Sequence, residues 1–278
     1  LASFFDVPDP ANTVVIHCAG IVSITSALNP VLYRVNVTGT KNVCDLCVAG
    51  GIGRLVYVSS VHAIPEAPHG QTIIETSDFS PDRVVGAYAK TKAEASLYVL
   101  LAARDRDLKA VIVHPSGIIG PGDIQGGSFT SMAKSFLRGK LPFAVRGGYD
   151  FVDVRDVAKG ILDCSENGEP GKGYILSGHY VTIRKMLQLV GKTAKRKYRP
   201  ICLPLGLAKL AAPYYEHRSL KKRKPLFFTP YSVAVLASNG QFSHAAASEC
   251  FAYHPRPVKD TLRDMTAWLL EQRRKDEV

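Results

Sequence analysis

Short runs of β-branched and apolar residues recur along the first half of the chain, each followed by a longer stretch of helical spacing. This alternation constrains the fold more than any other feature. Residues 13–17 (TVVIH), 55–59 (LVYVS) and 109–114 (KAVIVH) are apolar almost throughout instead of alternating with polar residues, as strands covered on both faces are. Between them residues 29–49 and 87–104 read as helices, the first stopped by Gly50 and Gly51. Such strand–helix–strand units place parallel strands side by side with helices across their faces. The fold class expected is therefore α/β with a parallel sheet.

Beyond about residue 120 the alternation loosens. Phe129, Met132, Ala133, Phe136 and Leu137 still fall at helical spacing, as do Val154, Val157, Ala158, Ile161 and Leu162. Residues 173–177 read as a short strand, and Thr182 as the N-cap of a helix reaching Val190. A last helix over 258–274 carries Val258, Leu262, Met265, Trp268 and Leu269 on one face. Two regions are expected: residues 1–120, with 148–165 returning to them, and a smaller, less regular lobe made mainly of 121–278.

The net charge of +11 comes largely from basic clusters at 192–199, 221–224 and 273–275. They lack interleaved aromatics and any nucleic-acid motif, so solvated surface is expected, and no nucleic-acid partner. No apolar run is long enough to span a bilayer. Residues 201–215 are apolar but interrupted by Pro204, Lys209 and Pro213, which suits an interfacial or lid-like segment. Of six cysteines, the only close pair, Cys44 and Cys47, lies inside a helical stretch with no second pair to complete a zinc site. No metal is expected, and buried thiols in a reducing, cytoplasmic compartment are.

The sharpest chemical signal is Tyr88-Ala-Lys-Thr-Lys92. Residues four apart share a helix face, so the Tyr88 phenol and the Lys92 ammonium can enter one site. A phenol exchanges protons poorly at neutral pH unless a cation stabilises its phenolate, and Lys92 supplies one. Upstream, a strand ends in Val58-Ser59-Ser60, at the carboxyl edge of a parallel sheet, where open α/β folds bind ligands. A serine there can hold a substrate oxygen while the tyrosine moves its proton. Taken singly, these residues are also what a surface helix and a capped strand end would show; the ordered combination is what points to catalysis.

With these residues in order, the chain resembles the extended short-chain dehydrogenase/reductase (NAD-dependent epimerase/dehydratase) family. Further segments carry the resemblance: His17-Cys-Ala-Gly20 at a strand end, Asn36-Val-Thr-Gly-Thr40 in a helix, His114-Pro-Ser-Gly-Ile-Ile-Gly-Pro-Gly122, and Asp150-Phe-Val-Asp-Val-Arg-Asp-Val157. The resemblance implies a Rossmann-type doubly wound sheet with a small C-terminal α/β substrate lobe, residues 1–120 forming part of a dinucleotide-binding domain. It implies Tyr88 as general acid/base, Lys92 as its pKa modulator and ribose ligand, and Ser60 as the hydroxyl that orients the carbonyl. His17, Ala19, Gly20, Val58, Pro115 and Ile118, with Tyr88 and Lys92, would line NAD or NADP. A homodimer through the helices at 29–49 and 87–104 is a further expectation.

Two branches remain open. Nucleotide-sugar epimerases and dehydratases usually carry an Arg immediately before the D-F segment, where this chain has Tyr149; Arg146 stands three residues earlier. Residues 224–233 (KPLFFTPYSV), with Phe242 and the run at 253–257 (YHPRP), resemble 3β-hydroxysteroid dehydrogenase-like and dihydroflavonol reductase-like proteins. The expectation is an oxidoreductase interconverting a secondary alcohol and a ketone on an apolar small molecule. The family's Gly-rich fingerprint is not in this sequence, and residues 13–17 match the family's fourth strand. An incomplete sheet, lacking the first strands and that loop, is thus expected, and a non-catalytic fragment unable to bind cofactor unaided is the alternative of another class.

Overall fold

A computed structural model of the chain describes residues 1–25, 29–141, 143–197, 200–222, 226 and 228–276. Part of two basic clusters (198–199 and 223–224) and Lys224, Pro225 and Phe227 of the 224–233 segment lie outside the described residues.

Strand β1 (Val14–His17) leads through α1 (Pro30–Tyr33), one π-helical turn (Arg34–Thr38) and α2 (Gly39–Ala49) to β2 (Arg54–Val58). Asn29 caps α1 by accepting from the Val31 amide at 2.9 Å, ahead of Pro30. Gly51, at φ +63°, turns the chain out of α2. The helix expected over 29–49 thus contains a wide turn at Asn36, whose amide side chain holds the backbone of Ile21 (N–H to Oδ1 2.7 Å; Nδ2 to carbonyl 3.0 Å). Such turns re-aim side chains, frequently at functional sites. Helix α3 (Ala87–Asp105) then returns to β3 (Ala110–Pro115).

A second region follows: β4 (Gly117–Ile119), α4 (Ser128–Leu137), β5 (Phe143–Val145), β6 (Gly148–Asp153), α5 (Val154–Asn167), β7 (Gly173–Leu176), β8 (His179–Thr182) and α6 (Ile183–Thr193). The chain closes with β9 (Ile201–Leu203), α7 (Leu205–Lys221), α8 (Pro230–Ala237), α9 (Ala245–Phe251) and α10 (Val258–Asp276). Asp153 caps α5 from its side chain, Thr182 caps α6, and Thr229 forms a capping box with Ser232 at α8. Several of these elements escape sequence reading because strands of three residues carry no periodicity. Helix α7 passes through Pro213 in a segment whose prolines suggest interruption.

The main sheet is parallel throughout, in the order β1-β2-β3-β7. Its central strands are sealed: Leu55, Val56, Tyr57, Val111 and Val113 show no exposure. One face is covered by α2 and α3 through Cys44, Cys47, Ala93 and Val99, the other by α5 and α9 through Val157, Ile161, Cys164 and Ala247. This is the doubly wound arrangement. On α5 the apolar stripe is narrower than the spacing suggests, since Leu162 is 56% exposed. The sheet's fourth strand, β7, comes from beyond residue 165, so the two regions interleave more than once. Strand β1 forms an edge, with Val14 and Ile16 partly exposed.

A second sheet, β4-β6-β8, pairs β4 with β6 in parallel and β6 with β8 antiparallel. It packs with α4, α6 and α10 through Phe136, Met186, Leu262 and Met265. Strands β5 and β9 pair beside α7 and α8, where Val145, Ala208, Ala212, Phe228 and Val233 form a further core. This lobe stands over the carboxyl ends of β1 to β3.

Candidate active site

The loops leaving β1, β2 and β3 and the first turns of α3 meet the lobe around one cavity of about 520 Å³. Gly20, Val58, Ser59, Ser60, Tyr88, Lys92, Pro115 and Ile118 all line it. His17 and Ala19 are not among its walls. The reason for His17 is strand parity. Its ring turns beneath the sheet, stacks on Tyr57 at 5.5 Å and pairs Nε2 with the Thr40 hydroxyl at 3.0 Å, leaving Cys18 to face the cavity.

Tyr88 and Lys92, one turn apart on α3, are both buried. Gly86, at φ +97°, starts that helix under the Tyr231 ring; a Cβ there would stand 2.4 Å from Tyr231 Cε2. The Lys92 ammonium donates to the Val58 carbonyl at 2.8 Å and to the Tyr57 hydroxyl at 3.3 Å, lying 4.8 Å from the Tyr57 ring. Burial pushes Lys92 down to about 8, opposed by the Cys18 thiol. Burial likewise pushes Tyr88 up to about 12, and a hydrogen bond with the Ser60 hydroxyl opposes it. The ammonium therefore rests on strand β2, while the hydroxyl that engages Tyr88 is that of Ser60.

The two serines divide their work. Ser59 pairs with the Ser96 hydroxyl at 2.6 Å, tying β2 to α3. Ser60 accepts from the His62 amide at 3.3 Å and keeps its hydroxyl on the Tyr88 side. Its carbonyl oxygen lies 3.1 Å from His114 Nδ1. Asn36 connects a further segment, donating to Thr91 Oγ1 at 3.1 Å on α3. The 20–21 turn is thereby tied to the helix that bears Tyr88.

Sequence reasoning missed an aromatic wall. His62 stacks on Tyr149 at 5.5 Å, and its ring lies 6.0 Å from Tyr88 and 5.9 Å from Tyr231. Burial pushes His62 down to about 4, so the ring is neutral at physiological pH. The Tyr231 hydroxyl is buried with no hydrogen-bond partner among the described residues. Phe129, Met132, Val145, Phe151, Val235 and Leu236 complete the apolar lining, and Lys92 is the one charged side chain among the described wall residues. Only His62, two residues after Ser60, offered any local signal.

The walls suit the nicotinamide end of a dinucleotide. Gly20 has no side chain to obstruct the approach to Lys92: a Cβ there would already lie 3.4 Å from Lys92 Nζ. Pro115 and the half-exposed Ile118 supply apolar surface opposite. The Gly-rich turn between β4 and α4 does not cradle phosphate, because the Asp123 carboxylate takes the amides of Gly126 (3.0 Å) and Gly127 (2.7 Å).

Comparison with known proteins bears on the family and the fold. The chain is 30% identical to sterol demethylase protein B of Methylococcus capsulatus over 92% of this chain and 78% of that protein. It is 35% identical to a putative dihydroflavonol 4-reductase of Synechocystis over 69% of this chain and 58% of that protein. The crystal structure of gox2253 superposes with a TM-score of 0.79 at 27% identity, covering 98% of this chain and 81% of that one. Residues 5–177 match the model of the NAD dependent epimerase/dehydratase family. On that match, which takes in Ser60, Tyr88 and Lys92, the chain belongs to the NAD dependent epimerase/dehydratase family, whose members are NAD(P)-dependent oxidoreductases, epimerases and dehydratases.

Proposed function

We propose that this chain serves an NAD- or NADP-dependent oxidoreductase that interconverts a secondary alcohol and a ketone on an apolar small molecule. The observation that carries this reading is the cavity itself: Ser60, Tyr88 and Lys92 open into a space walled by Phe129, Met132, Val145, Phe151 and Leu236, with Lys92 its only cation among the described residues. A nucleotide sugar brings a pyrophosphate, which calls for Arg or Lys partners at its binding site. Tyr149 occupies the place where an Arg would provide one, and its ring packs on His62 instead. Relatives named for sterols and dihydroflavonol support the same substrate character.

The bound nicotinamide would supply or accept the hydride. The protein's part is proton transfer and orientation. Ser60 donates to the substrate oxygen and holds it against the Tyr88 phenol. At neutral pH Tyr88 is protonated, since burial raises it, so the resting site is set to donate a proton to a forming alkoxide. Lys92, charged below about pH 8, sits beside Gly20, where a ribose hydroxyl can receive its N–H. Tyr231 brings an unpaired buried donor to the same cavity, and a ligand oxygen would remove the cost of about 1–3 kcal/mol that such a group carries.

The test is turnover of reduced nicotinamide with a panel of apolar cyclic ketones, for the unaltered chain and Tyr88→Phe. The variant should lose about 10²- to 10⁴-fold in kcat while binding dinucleotide as before. Measurable and equal turnover by both removes Tyr88 from the mechanism, whereas no turnover and no dinucleotide binding by the unaltered chain favours the non-catalytic fragment. Conversion of UDP- or dTDP-sugars with no ketone reduction overturns the substrate assignment.

A further inference from the structure

Helix α7 and the neighbouring strand β9 present large apolar side chains outward. Ile201 is 72% exposed, Leu207 58%, Leu210 81%, Tyr214 66% and Leu220 51%. Single exposed apolar residues are ordinary, but a contiguous set marks an interaction surface. Leu207, Leu210 and Tyr214 recur at i, i+3 and i+7, so they share one face. The opposite face is already used: Ala208 and Ala212 are fully buried against the core that contains Val145, Phe228 and Val233.

The exposed charges on this segment have one sign. Lys209, Arg218, Lys221 and Lys222 are exposed. Glu216, the only acid between residues 200 and 222, is buried. Arg218 donates to the Tyr214 hydroxyl at 3.0 Å, holding a cation at the edge of the apolar face. Exposed apolar residues on one helix face, bordered by cations and an amphipathic Tyr, are the features of helices that lie in a membrane interface. Cations with no exposed acid among them match the negative surface of an anionic bilayer. Among the described residues no helix is long and apolar enough to cross a bilayer.

From this charge complementarity we infer that the outward face of α7 docks the protein onto an anionic lipid bilayer. Leu207, Leu210 and Tyr214 enter the acyl boundary, while Lys209, Arg218, Lys221 and Lys222 meet lipid headgroups. On its buried side α7 packs against Val145 and Phe228, both of which line the 520 Å³ cavity. Docking therefore brings the bilayer within one helix of that cavity. The docking holds whatever reaction the cavity supports.

Co-sedimentation of the purified chain with vesicles tests this, using phosphatidylcholine alone and phosphatidylcholine mixed with phosphatidylserine. Partitioning should be strong onto the mixed vesicles and weak onto neutral ones, and should decline with added salt. Leu207→Asp with Leu210→Asp should reduce it more than tenfold, each leucine being worth about tenfold or more when buried. Replacing Lys209, Lys221 and Lys222 by Gln should remove the preference for anionic vesicles without touching the apolar face. Vesicle binding unchanged in both sets of variants overturns the inference. So does concentration-dependent dimerisation in sedimentation velocity, abolished by the leucine variants and without vesicle binding, which would make the face a contact between copies.

Discussion

Acidification from about pH 7.5 to about pH 5 should cost this chain roughly 6 kcal/mol of folding stability through three histidines held neutral by the fold, His62 of the aromatic wall being one. His114, on β3, is 1% exposed, stacks on Phe79 at 5.3 Å and lies against the Ser60 carbonyl. Burial pushes it down to about 4, the Lys92 charge adding to the effect and the Ser60 hydrogen bond opposing it. His17, paired with Thr40, is pushed down to about 4 by burial and then by Lys92. An unfolded histidine titrates near 6.5. Below that pH the unfolded chain takes up protons that the native state refuses until about pH 4. Stability is therefore complete above about 6.5 and lost as pH falls through the window from 6.5 to 4. At pH 5 the linkage amounts to about 2 kcal/mol for each histidine. Urea unfolding followed by the fluorescence of Trp268, the only tryptophan, measures it at both pH values. His114→Asn keeps a donor near the Ser60 carbonyl and removes the titration, so its loss between the two pH values should be smaller by about 2 kcal/mol. An equal loss in His114→Asn and the unaltered chain would refute the assignment.

Three further outcomes follow from single contacts. Gly53→Ala should destabilise by about 3 kcal/mol or more, seen in thermal unfolding, because a Cβ there would stand 1.9 Å from the Ala11 carbonyl oxygen and backbone must move. Asp153→Ala should cost about 1–2 kcal/mol in urea unfolding: it removes the α5 cap at 2.8 Å and the 2.7 Å pair with Arg155, which is 38% exposed and keeps Asp264 at 3.0 Å. Dinucleotide affinity, read from nicotinamide fluorescence, should fall as pH rises through about 8, where Lys92 loses its charge; a flat profile from about pH 7 to 9 would detach Lys92 from the ribose.

The parts of the site that were legible in the sequence are those whose logic is local. Strands β2 and β3 show as unbroken apolar runs because helices cover both sheet faces, and Tyr88 with Lys92 shows because one helical turn separates them. Ser60 is legible for the same reason, as the residue just past a strand end. His17 reveals where this logic stops. A motif places it beside the cofactor, but strand parity sends its ring under the sheet to Thr40 and gives the cavity to Cys18. The aromatic wall is illegible in a deeper sense. His62, Tyr149 and Tyr231 are distant in the chain and meet only because α8 packs on β6. The same holds for Phe129, Phe151 and Leu236. The proposed acid–base group is thus written within a few residues, while the shape of the cavity around it arises from packing between segments with no shared period. That is why the reaction class can be argued from α3 alone, and why substrate character could be argued only once Lys92 was seen among apolar walls.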